Sequence, residues 1–175
     1  SSTSGFKPSE LNEGAINPQQ ILVCHPFNPV YLLPLVEVVP SEITDEKIID
    51  IPDTDALITQ EKDLYLCIKT ADCLPVLIAH PDGIIAGIHA GRAGTELGIT
   101  GKTLESICKR TGLSKGFMIW LGPAICKSCY EIDASQKKHY DLISNNIDQI
   151  SKEVSQSQIF KSNRCTACEH DSFFS

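Results

Sequence analysis

Residues 70–95 read TADCLPVLIAHPDGIIAGIHAGRAGT, and this stretch decides the fold that we predict. Two apolar runs flank Pro81-Asp82-Gly83, a tripeptide typical of a turn, so the stretch predicts strand, turn and strand. A hairpin of this kind can bring Cys73 and His89 close together. A neighbouring thiol and imidazole can ligate a soft metal, or they can act as a nucleophile and its base.

Periodic apolar residues predict the other elements. Strands are expected at Leu64–Lys69 and Phe117–Leu121, and a helix is expected from about Thr95 to Arg110, although glycines within it weaken that prediction. A second helix is expected after Asp133. Its apolar face follows from residues spaced by three and four: Tyr140, Ile143, Ile147, Ile150 and Val154.

Composition excludes several classes of protein. The chain has 175 residues, of which 42% are hydrophobic, so it can bury a core. Its net charge of −7 offers no basic stripe for phosphates and argues against a nucleic-acid partner. The longest apolar run, residues 30–39, is interrupted by Pro34 and Glu37 and is too short to cross a membrane. We therefore expect neither a nucleic acid nor a membrane as partner.

The cysteines favour a reducing compartment. There are eight of them, and no signal-peptide pattern opens the chain, so reduced thiols or metal ligands in a cytoplasmic protein are expected rather than disulfides. Two CxxC pairs, Cys126 with Cys129 and Cys165 with Cys168, carry the usual signature of a structural zinc site, with His170 nearby. The alternative is that these are small buried side chains. The other cysteines in apolar runs are expected in the core: Cys24, Cys67 and Cys108.

Five motifs in residues 53–175 together resemble one family. In order along the chain they are Asp55-Ala56-Leu57-Ile58-Thr59, Thr70-Ala71-Asp72-Cys73, His89-Ala90-Gly91, Leu121-Gly122-Pro123-Ala124-Ile125 continuing to Cys129-Tyr130-Glu131, and Arg164-Cys165-Thr166 followed by Phe173-Phe174-Ser175. This order is similar to that of the multicopper polyphenol oxidoreductase (laccase-domain) family, also described as purine nucleoside phosphorylases with adenosine deaminase activity. The resemblance implies an α+β fold with a mixed β-sheet or sandwich core flanked by helices.

The same resemblance implies a metal site of two histidines and one cysteine, usually assigned as zinc. Cys73 and His89 would be two of the ligands, and His25 is a weaker match for the third. The metal would activate water for attack on adenosine, or phosphate would attack the ribose. Asp72 would orient a ligand or shuttle a proton; the alternative is a turn or capping residue.

Arg92 stands one position before the family's usual arginine. It is our candidate for binding the anionic part of a substrate, with a solvated surface arginine as the alternative.

Residues 1–40 resemble a different family. His25-Pro26-Phe27-Asn28-Pro29 and the apolar run after it look like a fragment of the 3-hydroxyacyl-CoA dehydrogenase superfamily, closest to carnitine dehydrogenase. The resemblance implies that His25 removes a proton, that Glu37 orients His25, and that Ser4 binds substrate. The chain has no Gly-x-Gly-x-x-Gly turn to hold a dinucleotide, so hydride transfer is not expected.

The sequence thus predicts three parts. Residues 1–40 form a short dehydrogenase-like segment that is not an independent domain, residues 41–52 form a junction, and residues 53–175 form a laccase-like domain truncated at its C-terminus. The preferred function is a metal-dependent enzyme that deaminates or phosphorolyses purine nucleosides, with phosphate as co-substrate and zinc as cofactor. A homo-oligomer is compatible with this function.

Three alternatives stay open. A copper-dependent phenol oxidase ranks lower, because a multicopper centre needs many more histidines than the five present. A metal-free hydrolase or deamidase would use Cys73 as nucleophile and His89 as base, since the fold also resembles that of cytotoxic necrotizing factor. The third alternative is a zinc-stabilised or catalytically decayed interaction module.

Overall fold

The computed structural model describes residues 22–26, 36–40, 54–62, 64, 66–169 and 172–173. The chain divides into two compact units, Ser1–Ile51 and Pro52–Ser175. In the first unit, β1 (Leu22–Pro26) pairs antiparallel with β2 (Val36–Pro40), and His25 lies opposite Glu37 in the register. The predicted three-part division of the chain stays a prediction.

The second unit is built on a five-stranded mixed sheet. Its strands are β3 (Ala56–Thr59), β4 (Leu74–Ala79), β5 (Ile85–Ala90), β6 (Met118–Leu121) and β9 (Gln158–Lys161). Their order in the sheet is β3-β5-β4-β6-β9. Neighbouring strands are antiparallel except for the parallel pair β6 and β9. The predicted α+β fold, with a mixed sheet flanked by helices, is confirmed.

Alternation along the strands explains the core. In β4, Leu74, Val76 and Ile78 are buried, whereas Leu77 between them is exposed. The opposite face of the sheet carries Leu77 beside Trp120, and Trp120 stacks on Phe160 with ring centroids 5.3 Å apart. One face of the sheet therefore forms the core, and the other presents apolar side chains to solvent.

The first predicted helix is split in two. The structure has α1 (Arg92–Glu96) and α2 (Ile99–Thr111), separated by Leu97 and Gly98. Gly98 has a φ of +80°, a left-handed conformation that glycine adopts without a steric penalty and that interrupts a helix. Of the two glycines that weakened the prediction of one continuous helix, Gly98 interrupts it, whereas Gly101 lies within α2.

The second predicted helix, α3 (Leu142–Glu153), begins later than its apolar pattern suggested. The Asp141 carboxylate accepts a hydrogen bond from the Ser144 N–H at 2.9 Å and caps the helix. The preceding residues form a short hairpin of β7 (Glu131–Asp133) and β8 (Lys138–His139). Tyr140 therefore lies just before the helix, and His139 is an exposed residue of β8.

The predicted strand at Leu64–Lys69 is wrong where the structure describes it, because residues 66–69 join no strand ladder. The Ile68 side chain packs over Gly87 instead: a Cβ placed on Gly87 would lie 2.6 Å from Ile68 Cγ1. The apolar pattern reflects this packing from a loop.

No helix in the described part of the chain has the length and apolar character needed to cross a membrane.

Candidate functional site

Cys73 and His89 meet at one end of the β4–β5 pair, as the hairpin predicted. Cys73 immediately precedes β4, His89 lies in β5, and Leu74 pairs with Ala90. Gly91 lies beside both side chains: a Cβ placed on it would be 3.1 Å from Cys73 Sγ and 3.7 Å from His89 Nε2. The absence of a side chain at Gly91 gives the thiol room next to the imidazole.

Asp55 orients His89. Its carboxylate Oδ1 lies 2.9 Å from His89 Nδ1, and its backbone carbonyl accepts the His89 backbone N–H at 2.7 Å. When Nδ1 donates to a carboxylate, the ring is held in one orientation and Nε2 faces a ligand. Asp55 stands in one of the motifs of the family resemblance, but the sequence alone assigned it no role. The available signal was a carboxylate directly before β3, the strand that pairs with β5.

The environment favours the protonated imidazole. The hydrogen bond with Cys73 is the main cause that raises the pKa of His89 to about 9; burial opposes it, and the Asp55 carboxylate adds to the rise. An imidazolium cannot ligate a metal. Metal binding by His89 is therefore coupled to release of this proton.

Asp72 is tied to the C-terminal part of the chain. Its Oδ1 accepts a hydrogen bond from Thr166 Oγ1 at 2.5 Å, and its carbonyl accepts one from the Ile125 N–H at 2.9 Å. Thr166 is buried. These bonds hold the residue before Cys73 in place, and the catalytic role of Asp72 stays a prediction.

Two tyrosines border the site, and sequence reasoning assigned them no role. Burial raises the pKa of Tyr130, and the negative charges of Cys73 and Asp72 add to that rise, whereas Arg92 opposes it. Tyr140 packs edge-on against Tyr130 with ring centroids 6.1 Å apart. Arg92 is the exposed first residue of α1, and its charge also acts on Tyr140. The Cys-Tyr-Glu motif was the signal that could have found Tyr130.

His25 lies in the other compact unit, in β1. Its predicted role as third ligand stays a prediction, and Ser4 lies outside the described residues.

On the sheet unit, an open groove of about 410 Å³ lies beside Asp55, lined by Ile58, Leu97, Ile99 and Lys102 among others. Pockets that hold small molecules span about 300–1,000 Å³.

A second cluster consists of Cys126, Cys129, Cys165 and Cys168, hereafter the tetracysteine cluster. Their four sulfur atoms all lie within 4.8 Å of one another, close enough to bind a metal ion. Among the described residues it is the one group of three or more potential metal ligands that meets this criterion. His170, which the sequence placed near the cluster, lies outside the described residues.

One negative charge is favoured within the tetracysteine cluster. Burial disfavours the Cys165 thiolate, but the N–H groups of Cys126 and Cys168 donate to its sulfur, and together with thiol contacts they lower the pKa of Cys165 to about 6. The hydrogen bond with Cys168 raises the pKa of Cys129 to about 12. Charge is thus concentrated on the buried sulfur.

The remaining cysteines differ from one another. Cys67 is exposed in the loop before β4, so its predicted core position is wrong. Cys108 is half-buried and packs against the core, as predicted. The Cys24 side chain lies outside what the structure describes.

The sequence motifs, fold and thiol–imidazole pair agree with one family. Residues 34–140 match the protein family described as Multi-copper polyphenol oxidoreductase laccase. The chain belongs to this laccase family. The crystal structure of YlmD from Geobacillus stearothermophilus superposes on this laccase-family chain with a TM-score of 0.66 and 30% identity, covering 71% of this chain and 56% of YlmD.

Two curated relatives carry enzyme names. Purine nucleoside phosphorylase RC0672 of Rickettsia conorii is 32% identical over 157 residues, which is 88% of this chain and 61% of the relative. Adenosine deaminase RL5, from an unknown prokaryotic organism, is 30% identical over 155 residues, which is 75% of this chain and 59% of the relative. The laccase-family chain therefore spans about three fifths of the length of these relatives.

The opening segment matches a second family. Residues 1–60 match the 3-hydroxyacyl-CoA dehydrogenase NAD-binding domain. The L-carnitine dehydrogenase/betainyl-CoA thioesterase of Ruegeria pomeroyi is 64% identical over 50 residues, which is 29% of this chain but 10% of that enzyme. Both resemblances predicted from the sequence are confirmed.

Proposed function

We propose that this chain is a metal-dependent enzyme that acts on purine nucleosides by deamination, phosphorolysis or both. The observation that carries the proposal is the thiol of Cys73 beside the imidazole of His89. The Nδ1 atom of that imidazole is hydrogen-bonded to the Asp55 carboxylate. The names of the relatives, purine nucleoside phosphorylase and adenosine deaminase, support the substrate class.

Cys73 and His89 would hold the metal. Thiolate and imidazole suit zinc, whereas a multicopper centre needs more histidines than the chain has. When bound, zinc supplies Lewis-acid chemistry and lowers the pKa of water. Asp55 keeps the His89 ring in its ligating orientation, and Arg92 offers a guanidinium to an anionic substrate group.

The direct test is turnover by the purified chain. We expect ammonia release from adenosine, or phosphate-dependent release of base from inosine, that falls after chelation and returns with zinc. The zinc content of the same samples provides a readout independent of turnover. Absence of both reactions from the zinc-loaded protein would contradict the proposed function, and the presence or absence of phosphate separates the two chemistries.

A metal-free thiol enzyme is the second candidate. The contacts of Cys73, His89 and Asp55 favour it, because a thiol, a base and an orienting carboxylate form the arrangement of cysteine hydrolases. Chelation would leave such an enzyme active, whereas alkylation of Cys73 would inactivate it. A metal-dependent enzyme loses activity under both treatments.

Asp55→Asn should lower zinc affinity and kcat by about 10–100-fold with little change in KM, because carboxylates that orient metal-bound histidines have effects of this size. Asp82→Asn is the matched control: Asp82 lies 3.7 Å from the ring of His80, away from the site. Zinc titration and steady-state kinetics of both variants check the prediction. Equal effects of the two substitutions would show that Asp55 does not orient His89 for zinc binding or turnover.

A further inference from the structure

We propose that the tetracysteine cluster binds one Zn²⁺ ion with a structural role, fastening the turn around residues 126–129 to the turn around residues 165–168. This site is separate from the proposed Cys73–His89 centre and does not depend on the proposed function. Its ligands come from two CxxC pairs 39 residues apart in the chain, so the ion would close a long loop.

The sulfur positions fit a tetrahedral ion. Four sulfurs at Zn–S distances of about 2.3 Å lie about 3.8 Å from one another. In the structure all sulfur pairs lie within 4.8 Å, and the pair Cys129–Cys168 is 3.4 Å apart. Small rotations of four side chains would complete the coordination, because the two turns already converge.

Backbone donors already surround the most buried ligand. The N–H of Cys126 lies 3.2 Å from Cys165 Sγ, and the N–H of Cys168 lies 3.4 Å from it. Hydrogen bonds from backbone N–H groups to a sulfur stabilise a thiolate ligand and orient it. One donor comes from each CxxC pair, so both turns help to orient the Cys165 sulfur.

The chemistry of the donors selects the metal and its role. Four thiolates form a soft tetrahedral set that favours zinc or iron over hard cations. With four protein ligands, the ion has no open position for water or substrate, which is the arrangement of structural zinc sites. A single disulfide between Cys129 and Cys168 would leave Cys126 and Cys165 without a role in the convergence.

The cluster is linked to the segment that carries Cys73. Ala124 and Cys165 form a parallel bridge, and Thr166 next to Cys165 donates to the Asp72 carboxylate. On the other side, the Ile125 N–H donates to the Asp72 carbonyl. Thr166 lies in one of the turns that the ion would join, and Ile125 directly precedes the other, so an ion in the cluster would hold the residue before Cys73 from two sides.

The experiment measures zinc in the full chain and in three single-residue variants. Cys168→Ser removes an exposed ligand, Cys73→Ala removes the other candidate site, and Cys67→Ser is a control at an exposed cysteine outside both. After a chelator challenge, wild type, Cys73→Ala and Cys67→Ser should each retain one zinc. Cys168→Ser should lose it at a chelator concentration at least tenfold lower and should melt at a lower temperature.

Three results would overturn the proposal: equal zinc retention by Cys168→Ser and wild type, iron in place of zinc, or a thiol titration of the unfolded chain that reveals a disulfide in the cluster. If Cys168→Ser does not fold, Co²⁺ titration of the metal-free wild type replaces it. Tetrathiolate coordination then gives intense sulfur-to-cobalt charge-transfer and tetrahedral ligand-field bands that persist in Cys73→Ala. Absence of these bands contradicts the site.

Discussion

Cys73→Ala should lower kcat/KM for adenosine or inosine by about 10³–10⁴-fold, because the thiol serves in either mechanism as the group on which the chemistry depends. Its substitution removes one ligand of the proposed metal, or removes the nucleophile of a thiol enzyme. Steady-state kinetics with both nucleosides, with and without phosphate, check the prediction. Cys67→Ala is the matched control and should keep wild-type turnover, since Cys67 is exposed in the preceding loop.

A folding defect has to be separated from a loss of chemistry. Cys73 is only half-buried, and Gly91 beside it leaves space, so alanine creates little strain. We expect the unfolding midpoint of Cys73→Ala to stay close to that of wild type. Unchanged turnover in a folded Cys73→Ala variant would exclude this residue from the reaction, whatever the metal content.

His89→Ala distinguishes the two mechanisms when it is measured beside Cys73→Ala. If both residues ligate one metal, each substitution should reduce the metal content outside the tetracysteine cluster, and the double variant should be no worse than either single variant. If the pair is a nucleophile and its base, turnover falls in both variants while the metal content stays at the wild-type value. A double-mutant cycle on turnover tests whether Cys73 and His89 act together, and the metal content of the same variants tests which mechanism they serve.

The hairpin of residues 70–95 could be predicted because its information is local. Two apolar runs around a Pro-Asp-Gly turn specify both the strands and the register that brings Cys73 to His89. Asp55 could not be assigned a role in the same way, because its contact depends on β3 pairing with β5 across 34 residues of sequence. Local patterns predict elements, whereas a site assembled from separate strands requires the pairing itself.

The tetracysteine cluster shows the same limit in another form. Each CxxC pair is visible in the sequence, but the convergence of the two pairs depends on the bridge between Ala124 and Cys165. Spacing alone left open both interpretations, isolated buried thiols and a metal site. The long-range pairing brings all four sulfurs within 4.8 Å of one another, which is the observation behind the proposed ion.

Polar residues buried between the helices could not be predicted from the apolar stripe of α3. Asn146 lies on that helix among apolar residues, and it is fully buried. Its side-chain Oδ1 accepts from Thr100 Oγ1 at 2.6 Å, and its Nδ2 donates to Thr95 Oγ1 at 3.0 Å and to the Leu142 carbonyl at 2.8 Å. One amide thus links α1, α2 and α3 through satisfied hydrogen bonds, which is a pairwise fit that no periodicity encodes.

Asn146→Leu should therefore reduce the free energy of unfolding by about 2–4 kcal/mol, since each buried hydroxyl left without its partner costs about 1–3 kcal/mol. Denaturant unfolding measures the loss in free energy, and the m-values of variant and wild type should be equal. Asn145→Ala is the control on the exposed neighbouring position and should cost less than about 1 kcal/mol. Replacing Thr95 and Thr100 by valine in the Asn146→Leu background should recover part of the loss, because the unpaired hydroxyls are removed together. No recovery in the triple variant would show that the cost arises from shape rather than from unsatisfied polar groups.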